Sequence, residues 1–153
     1  MKQEKNLSAQ RSIIINASAA AIWDVITNPE KIKLYLFGSN VNTDWKVGSQ
    51  MISTRDRIHP LAEPGEHPIV DKGRILEVEK EKLLKYTYYN SQEGYDDLPE
   101  NYSIVTYTIE KENDHQFKLT FLREKIPIAF EQMNQERFLP GMLENMKDLA
   151  EQG

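Results

Sequence analysis

The 153-residue chain contains no cysteine. That excludes a disulfide framework, a thiol nucleophile and any cysteine-ligated zinc site. Long apolar runs are missing too. Nothing approaches the ~18 consecutive apolar residues of a membrane span, and the opening MKQEKNLSAQ is charged and polar where a secretory leader is apolar. A soluble, cytoplasmic protein with no membrane span is therefore expected. Positive charge is not in excess either. The 19 basic and 24 acidic residues leave a net charge of −5, which provides no field to gather nucleic-acid phosphates, so no nucleic-acid partner is expected. The chain also lacks G-x-S-x-G, a glycine-rich phosphate loop, H-E-x-x-H and any internal repeat. No catalytic residue, cofactor or metal site follows from motifs.

What is present is a strong helical stripe near the C-terminus. At about 100° per residue, Phe138, Leu139, Met142, Leu143, Met146, Leu149 and Ala150 share roughly 140° of arc. A stripe that wide requires a concave apolar partner. Upstream runs supply strands. Arg11–Ile15 is a β-branched run. Asn16–Ser18 can cap a helix through Ile22, Trp23 and Ile26, which Asn28-Pro29 ends. A second short helix carries Ile32, Tyr35 and Leu36 and ends at Phe37–Asn40. Strands follow at Gln50–Arg57, Gly73–Val78, Leu83–Tyr89, Tyr102–Lys111 and Phe117–Ile126. Residues 58–70, rich in Pro and His, and 91–100, acidic, read as loops. Residues 1–10 are expected to fray and 11–153 to form one domain. The order of elements is α+β. It predicts a curved antiparallel sheet of about six strands, wrapped around the long C-terminal helix, with two short helices after the first strand.

The stretch INASAAAIWDVITNPEKI resembles the opening of the START-like helix-grip superfamily (SRPBCC), which includes the birch-pollen-allergen fold. TDWKVGS, GRILEVEKEKLLKYTY, SIVTYTIE and PGMLENMKDL are similar to the branch named after the activator of the heat-shock-protein-90 ATPase. The resemblance spans Ser12 to Glu151. The chain departs from the branch pattern at Tyr35, Ser49, Lys80-Glu81 and Phe138-Leu139, partly where a ligand would lie. The resemblance implies a cavity between sheet and helix. Superfamily members hold lipids, sterols, polyketides or other apolar molecules; a few are cyclases or hydrolases, and some are protein-interaction modules.

Strand alternation nominates an inward face: Met51, Ser53 and Arg55; Leu84, Tyr86 and Tyr88; Val105, Tyr107 and Ile109; Phe117, Leu119, Phe121 and Arg123. Phe138, Met142 and Met146 of the helix would face them. The alternative is a dry core; the polar groups on the same face favour a pocket. Continuing the helical phase back through Pro140 points Glu131 and Gln135 inward and Met133 outward. Two arrangements stay open: these residues line the cavity mouth, or Pro140 breaks the helix and residues 128–137 swing away. Arg55 and Arg123 could hold an anionic ligand head, or pair with nearby acids. His59, Glu63, Glu66 and His67 have no metal-ligating spacing and read as a solvated loop. Asp96-Asp97 has no identifiable partner.

Three functions follow, in this order. The first is a binding protein for an apolar or amphipathic small molecule. The second is a protein-interaction or co-chaperone-like module, with a protein partner or homodimer. The third is a cavity enzyme using Glu131.

Overall fold

The computed structural model describes residues 7–36, 38–55, 69–91 and 95–152. His59, Glu63, Glu66 and His67 lie outside them. The chain runs β1 (Leu7–Ile15), α1 (Ala19–Thr27), α2 (Pro29–Tyr35), β2 (Asn40–Asn42), β3 (Gln50–Arg55), β4 (Ile69–Glu79), β5 (Leu83–Asn90), a 3-10 turn at Pro99–Asn101, β6 (Ser103–Asn113), β7 (Gln116–Ile126) and α3 (Ala129–Gln152). The strands form one curved, open antiparallel sheet in the order β1-β7-β6-β5-β4-β3-β2. Sheet and helix have the arrangement that the sequence predicts.

The short helices start for local reasons. The Ser18 hydroxyl accepts the Ala21 amide proton at 3.1 Å and caps α1. Asn28 ends α1 and also starts α2, where its side-chain oxygen accepts the Glu30 amide at 3.0 Å, with Pro29 in the first turn. These two helices carry the chain from β1, at one sheet edge, to β2 at the other.

Three expectations need correction. Among the described residues the sheet has seven strands, one more than the about six expected. The additional strand, Asn40–Asn42, is too short for periodicity to mark; pairing with Ile52–Thr54 of β3 creates it. β1 begins at Leu7 and not at Arg11, because β7 is long enough to pair with it from Leu7 onward. β4 begins at Ile69 and not at Gly73, because β3 supplies partners from Arg55↔Ile69 to Gln50↔Arg74.

A further result concerns Pro140. The helix α3 runs unbroken from Ala129 to Gln152 with Pro140 inside it, so residues 129–137 do not swing away. An interior proline costs about 3 kcal/mol. Burial of Leu139, Met142, Leu143 and Met146, each at 2% exposure or less, offsets that cost, since each such side chain contributes about 1.5–3 kcal/mol.

The backbone of α3 lies close to β1 and α1 and away from the central strands. Where it is close, Ile15, Ile22, Leu119, Leu139, Leu143 and Met146 form a closed core. Where it stands off, the interior is hollow.

Candidate functional site

The hollow is a cavity of about 300 Å³ between the inner face of β3–β7 and the first half of α3. Its apolar wall is formed by Leu36, Val41, Met51, Val105, Phe121, Phe138 and Met142, with the rings of Tyr107 and Phe121 edge to face at 5.3 Å between centroids. Of the residues expected around a ligand, Met51, Ser53, Arg55, Tyr86, Tyr88, Val105, Tyr107, Phe121, Arg123, Glu131, Gln135, Phe138 and Met142 line it, and Tyr35, Leu84, Ile109, Phe117, Leu119 and Met146 do not. Tyr35 is buried between helices, its hydroxyl donating to the Val25 carbonyl at 2.9 Å. Met146 is fully enclosed in the closed core, one turn beyond Met142, together with Leu84, Ile109 and Leu119.

The polar wall is organised by Arg123. Alternation from Phe121 puts it there, and a bulge in β7 just beyond it brings Ile126 to the same face. Leu7 pairs with Ile126 but Ala9 pairs with Arg123, so β7 holds an extra residue, and Lys125 takes a left-handed φ of 57°. Arg123 and Ile126, three apart, can then both face inward, at 2% and 0% exposure. The Arg123 guanidinium donates to Ser103 Oγ (2.8 Å), to Gln135 Oε1 (3.0 Å) and to Glu131 Oε2. It also lies over the Tyr88 ring at 4.8 Å. Glu131 sits in the first turn of α3, where the helix dipole favours an acid, and its other oxygen accepts the Tyr95 hydroxyl at 2.7 Å.

A second ion pair lies on the same wall. Asp71 Oδ2 accepts from Arg55 at 3.2 Å and from the Tyr88 hydroxyl at 3.0 Å, while Oδ1 accepts the Ser91 amide at 3.2 Å. Burying an ion pair costs several kcal/mol per ion unless hydrogen bonds complete it. Here they do: among the described residues no buried side-chain nitrogen or oxygen lacks a partner.

The tyrosines respond to this environment. Burial pushes the Tyr88 phenol well above its ordinary value, and the Asp71 carboxylate pushes it further. Tyr95 is raised by burial, then by its hydrogen bond to Glu131. Burial raises Tyr35, Tyr86 and Tyr107, and each of Tyr35 and Tyr107 is raised further by the Tyr86 phenol nearby. All stay neutral donors at physiological pH.

Sequence reasoning missed several wall residues. Asp71 falls outside the strand expected at Gly73–Val78, so alternation could not place it. Asn134 sits one helical turn after Glu131, a spacing that could have nominated it. Asp97, which seemed partnerless, pairs with Lys72 and accepts the Tyr102 hydroxyl at 2.6 Å, and both partners hold its carboxyl below the usual range. The segment 95–102 is thereby tied to the sheet, with Tyr89 against Tyr95 and Tyr102 at 5.5 and 5.4 Å.

The whole chain resembles several solved structures. A solution structure from Cytophaga hutchinsonii is 32% identical, with 99% of this chain and 97% of that chain covered and a TM-score of 0.77. An HSP90 activator from Plasmodium falciparum is 14% identical, covering 94% and 95% of the two chains at a TM-score of 0.70. The Aha1 dimer from Colwellia psychrerythraea is 14% identical, covering 94% and 96% at a TM-score of 0.68. At that identity the last two likenesses concern the fold alone. No protein of curated function matches the chain. The profile of one family, described as Activator of Hsp90 ATPase homolog 1-like protein, matches residues 16–151. With the helix-grip fold, the order of sequence motifs and this match in agreement, the chain belongs to the Activator of Hsp90 ATPase homolog 1-like family.

Proposed function

We propose that the protein binds a small apolar or amphipathic molecule in the cavity between its sheet and α3. The observation that carries this reading is the hollow itself. A volume of about 300 Å³ lies at the lower end of the about 300–1,000 Å³ usual for ligand sites. Its apolar wall would hold the body of the ligand, and the Arg123 and Arg55 clusters would meet its head. Side chains on the same sheet pack without a gap a few residues away, so the sequence can close this space where closure is favoured.

The test is native mass spectrometry of the purified protein, followed by a thermal-shift screen of fatty acids, sterols and aromatic polyketides. A ligand that binds only the folded state adds about 2.7 kcal/mol at a hundredfold excess over Kd, a shift easily seen. The same shift should vanish in Met142→Arg. The absence of both a co-purifying molecule and any shift across the panel would sink the proposal.

A second reading is a protein-interaction module. It is favoured by the family's description, by the likeness to an HSP90 activator and to an Aha1 dimer, and by the exposed apolar side chains Leu34, Val47, Phe130 and Met133. Light scattering for a homodimer and co-precipitation with an HSP90-type chaperone would test it. Catalysis by Glu131 ranks third, because both its oxygens already accept hydrogen bonds.

A further inference from the structure

Building on the cavity-binding reading, we infer that the occupant presents an uncharged polar head, of the amide, alcohol or carbonyl class, and that the two ion pairs on the wall discriminate against carboxylates and ammonium groups alike. Among the described residues of the wall, the cations are Arg55, Lys72 and Arg123 and the anions are Asp71 and Glu131. Each cation already has a carboxylate: Asp71 holds Arg55 at 3.2 Å, Glu131 holds Arg123, and Asp97, outside the wall, holds Lys72.

The acids are equally committed. Both oxygens of Asp71 accept hydrogen bonds, from Arg55 and Tyr88 on one and from the Ser91 amide on the other. Both oxygens of Glu131 do so as well, from Tyr95 and Arg123. An entering carboxylate would have to share an arginine with its acid. At Arg123 that sets a second anion beside Glu131, at 2% exposure, where like charges are poorly screened and one cation cannot neutralise both. An ammonium group meets the same obstacle with the signs reversed. An amide or hydroxyl adds no charge. The amide groups of Asn134 and Gln135 and the hydroxyl of Ser53, on the same wall, can both donate and accept.

The cavity sets the size of the probe. It holds at least about ten water volumes at about 30 Å³ each, so bodies of about ten to twelve non-hydrogen atoms suit it. The experiment is calorimetric titration of the full chain with one apolar body bearing four heads: phenylbutyramide, phenylbutanol, phenylbutyrate and phenylbutylamine, repeated on a nonyl body. The amide or alcohol is expected to bind at least tenfold more tightly than either ion. An ion that binds as tightly as the neutral forms overturns this inference and leaves the cavity-binding reading standing. Absence of binding by every member of both series overturns both.

A variant gives a second arm. Glu131→Gln removes the acid from Arg123 and should move the acid-to-amide affinity ratio at least tenfold toward the acid. An unchanged ratio counts against the inference. If Glu131→Gln does not fold, Asp71→Asn at the less buried Arg55 pair asks the same question.

Discussion

The two halves of α3 face the same sheet and do different things with it. From Leu139 onward the helix lies against β1 and α1, and Leu139, Leu143 and Met146 sit among Ile15, Ile22 and Leu119 with almost no exposed surface. Before Pro140 it also touches β1, where Gln132 donates to the Ser8 carbonyl at 2.8 Å, while Glu131, Gln135 and Phe138 look into a cavity whose opposite wall carries Arg123, Tyr88 and Asp71. The closed half buries apolar groups that need no orientation. The hollow half buries charges, and every one of them is tied to a partner. The closed half supplies apolar burial, while the hollow half holds charges in fixed positions.

The largest way to break this contrast is to remove one charge from the hollow half. Arg123→Met leaves Glu131 buried and uncompensated, and should cost about 3–5 kcal/mol in urea unfolding. The double variant Arg123→Met/Glu131→Leu should recover most of that loss, since the pair as a whole contributes little net stability. A double variant as unstable as the single would contradict this account of the network.

The closed half should be sensitive to simple truncation. Leu143→Ala, at 1% exposure, is expected to lose about 2–5 kcal/mol. Phe138→Ala deletes a larger side chain but faces the hollow, and should lose no more than about 2 kcal/mol because fewer contacts disappear. Equal losses would mean that the hollow is packed in solution.

Backbone geometry at the cavity wall gives a third test. At Gly73 a Cβ would come within 1.7 Å of the Thr87 carbonyl oxygen. The strands meet there through the Thr87 hydroxyl, which accepts the Arg74 amide at 2.9 Å. Gly73→Ala must displace backbone, and a loss of about 1–3 kcal/mol is expected, read from the same unfolding curves. At the β4–β5 turn, Glu81 holds a left-handed φ of 66°. Glu81→Gly should gain up to about 1 kcal/mol there, the smallest of these effects on stability.

Alkaline titration separates the buried phenols from a more exposed one. Tyr35, Tyr86, Tyr88 and Tyr107 have pKa values raised above the ordinary value, chiefly by burial. The folded state therefore prefers their neutral form. That stabilisation is complete below the unfolded value of about 10 and is lost as pH rises from there through the folded values, because the unfolded chain ionises first. Tyr102, next to Asp97 and outside the cavity, is raised only to about 12. Tyrosinate absorbance should show Tyr102 ionising before the buried four, whose signal should coincide with unfolding. A gradual rise of all of them from pH 10 would show the cavity to be wet.

Much of this structure is legible in the residues. The stripe from Phe138 to Ala150 specifies the helix, Ser18 specifies a helix start and Asn28-Pro29 a helix end, and the alternation of Val105, Tyr107 and Ile109 specifies a half-buried strand. Each is a local pattern, set by side-chain spacing against a fixed backbone period. Alternation even brought Ser53, Arg55, Tyr86, Tyr88 and Arg123 to one face. What sequence could not settle required distant partners. The strand Asn40–Asn42 exists because β3 lies beside it. Arg123 and Ile126 both face inward because a bulge opposite Leu7 and Ala9 adds a residue to β7. Whether Met142 borders a cavity and Met146 a closed core depends on the neighbours that the assembled sheet and helices put around each. Asp71 and Glu131 met their arginines only when four separate segments were folded together. The period of a sequence fixes which face a side chain takes; only the assembled fold fixes how far away the opposite face lies, and that distance decides between a core and a cavity.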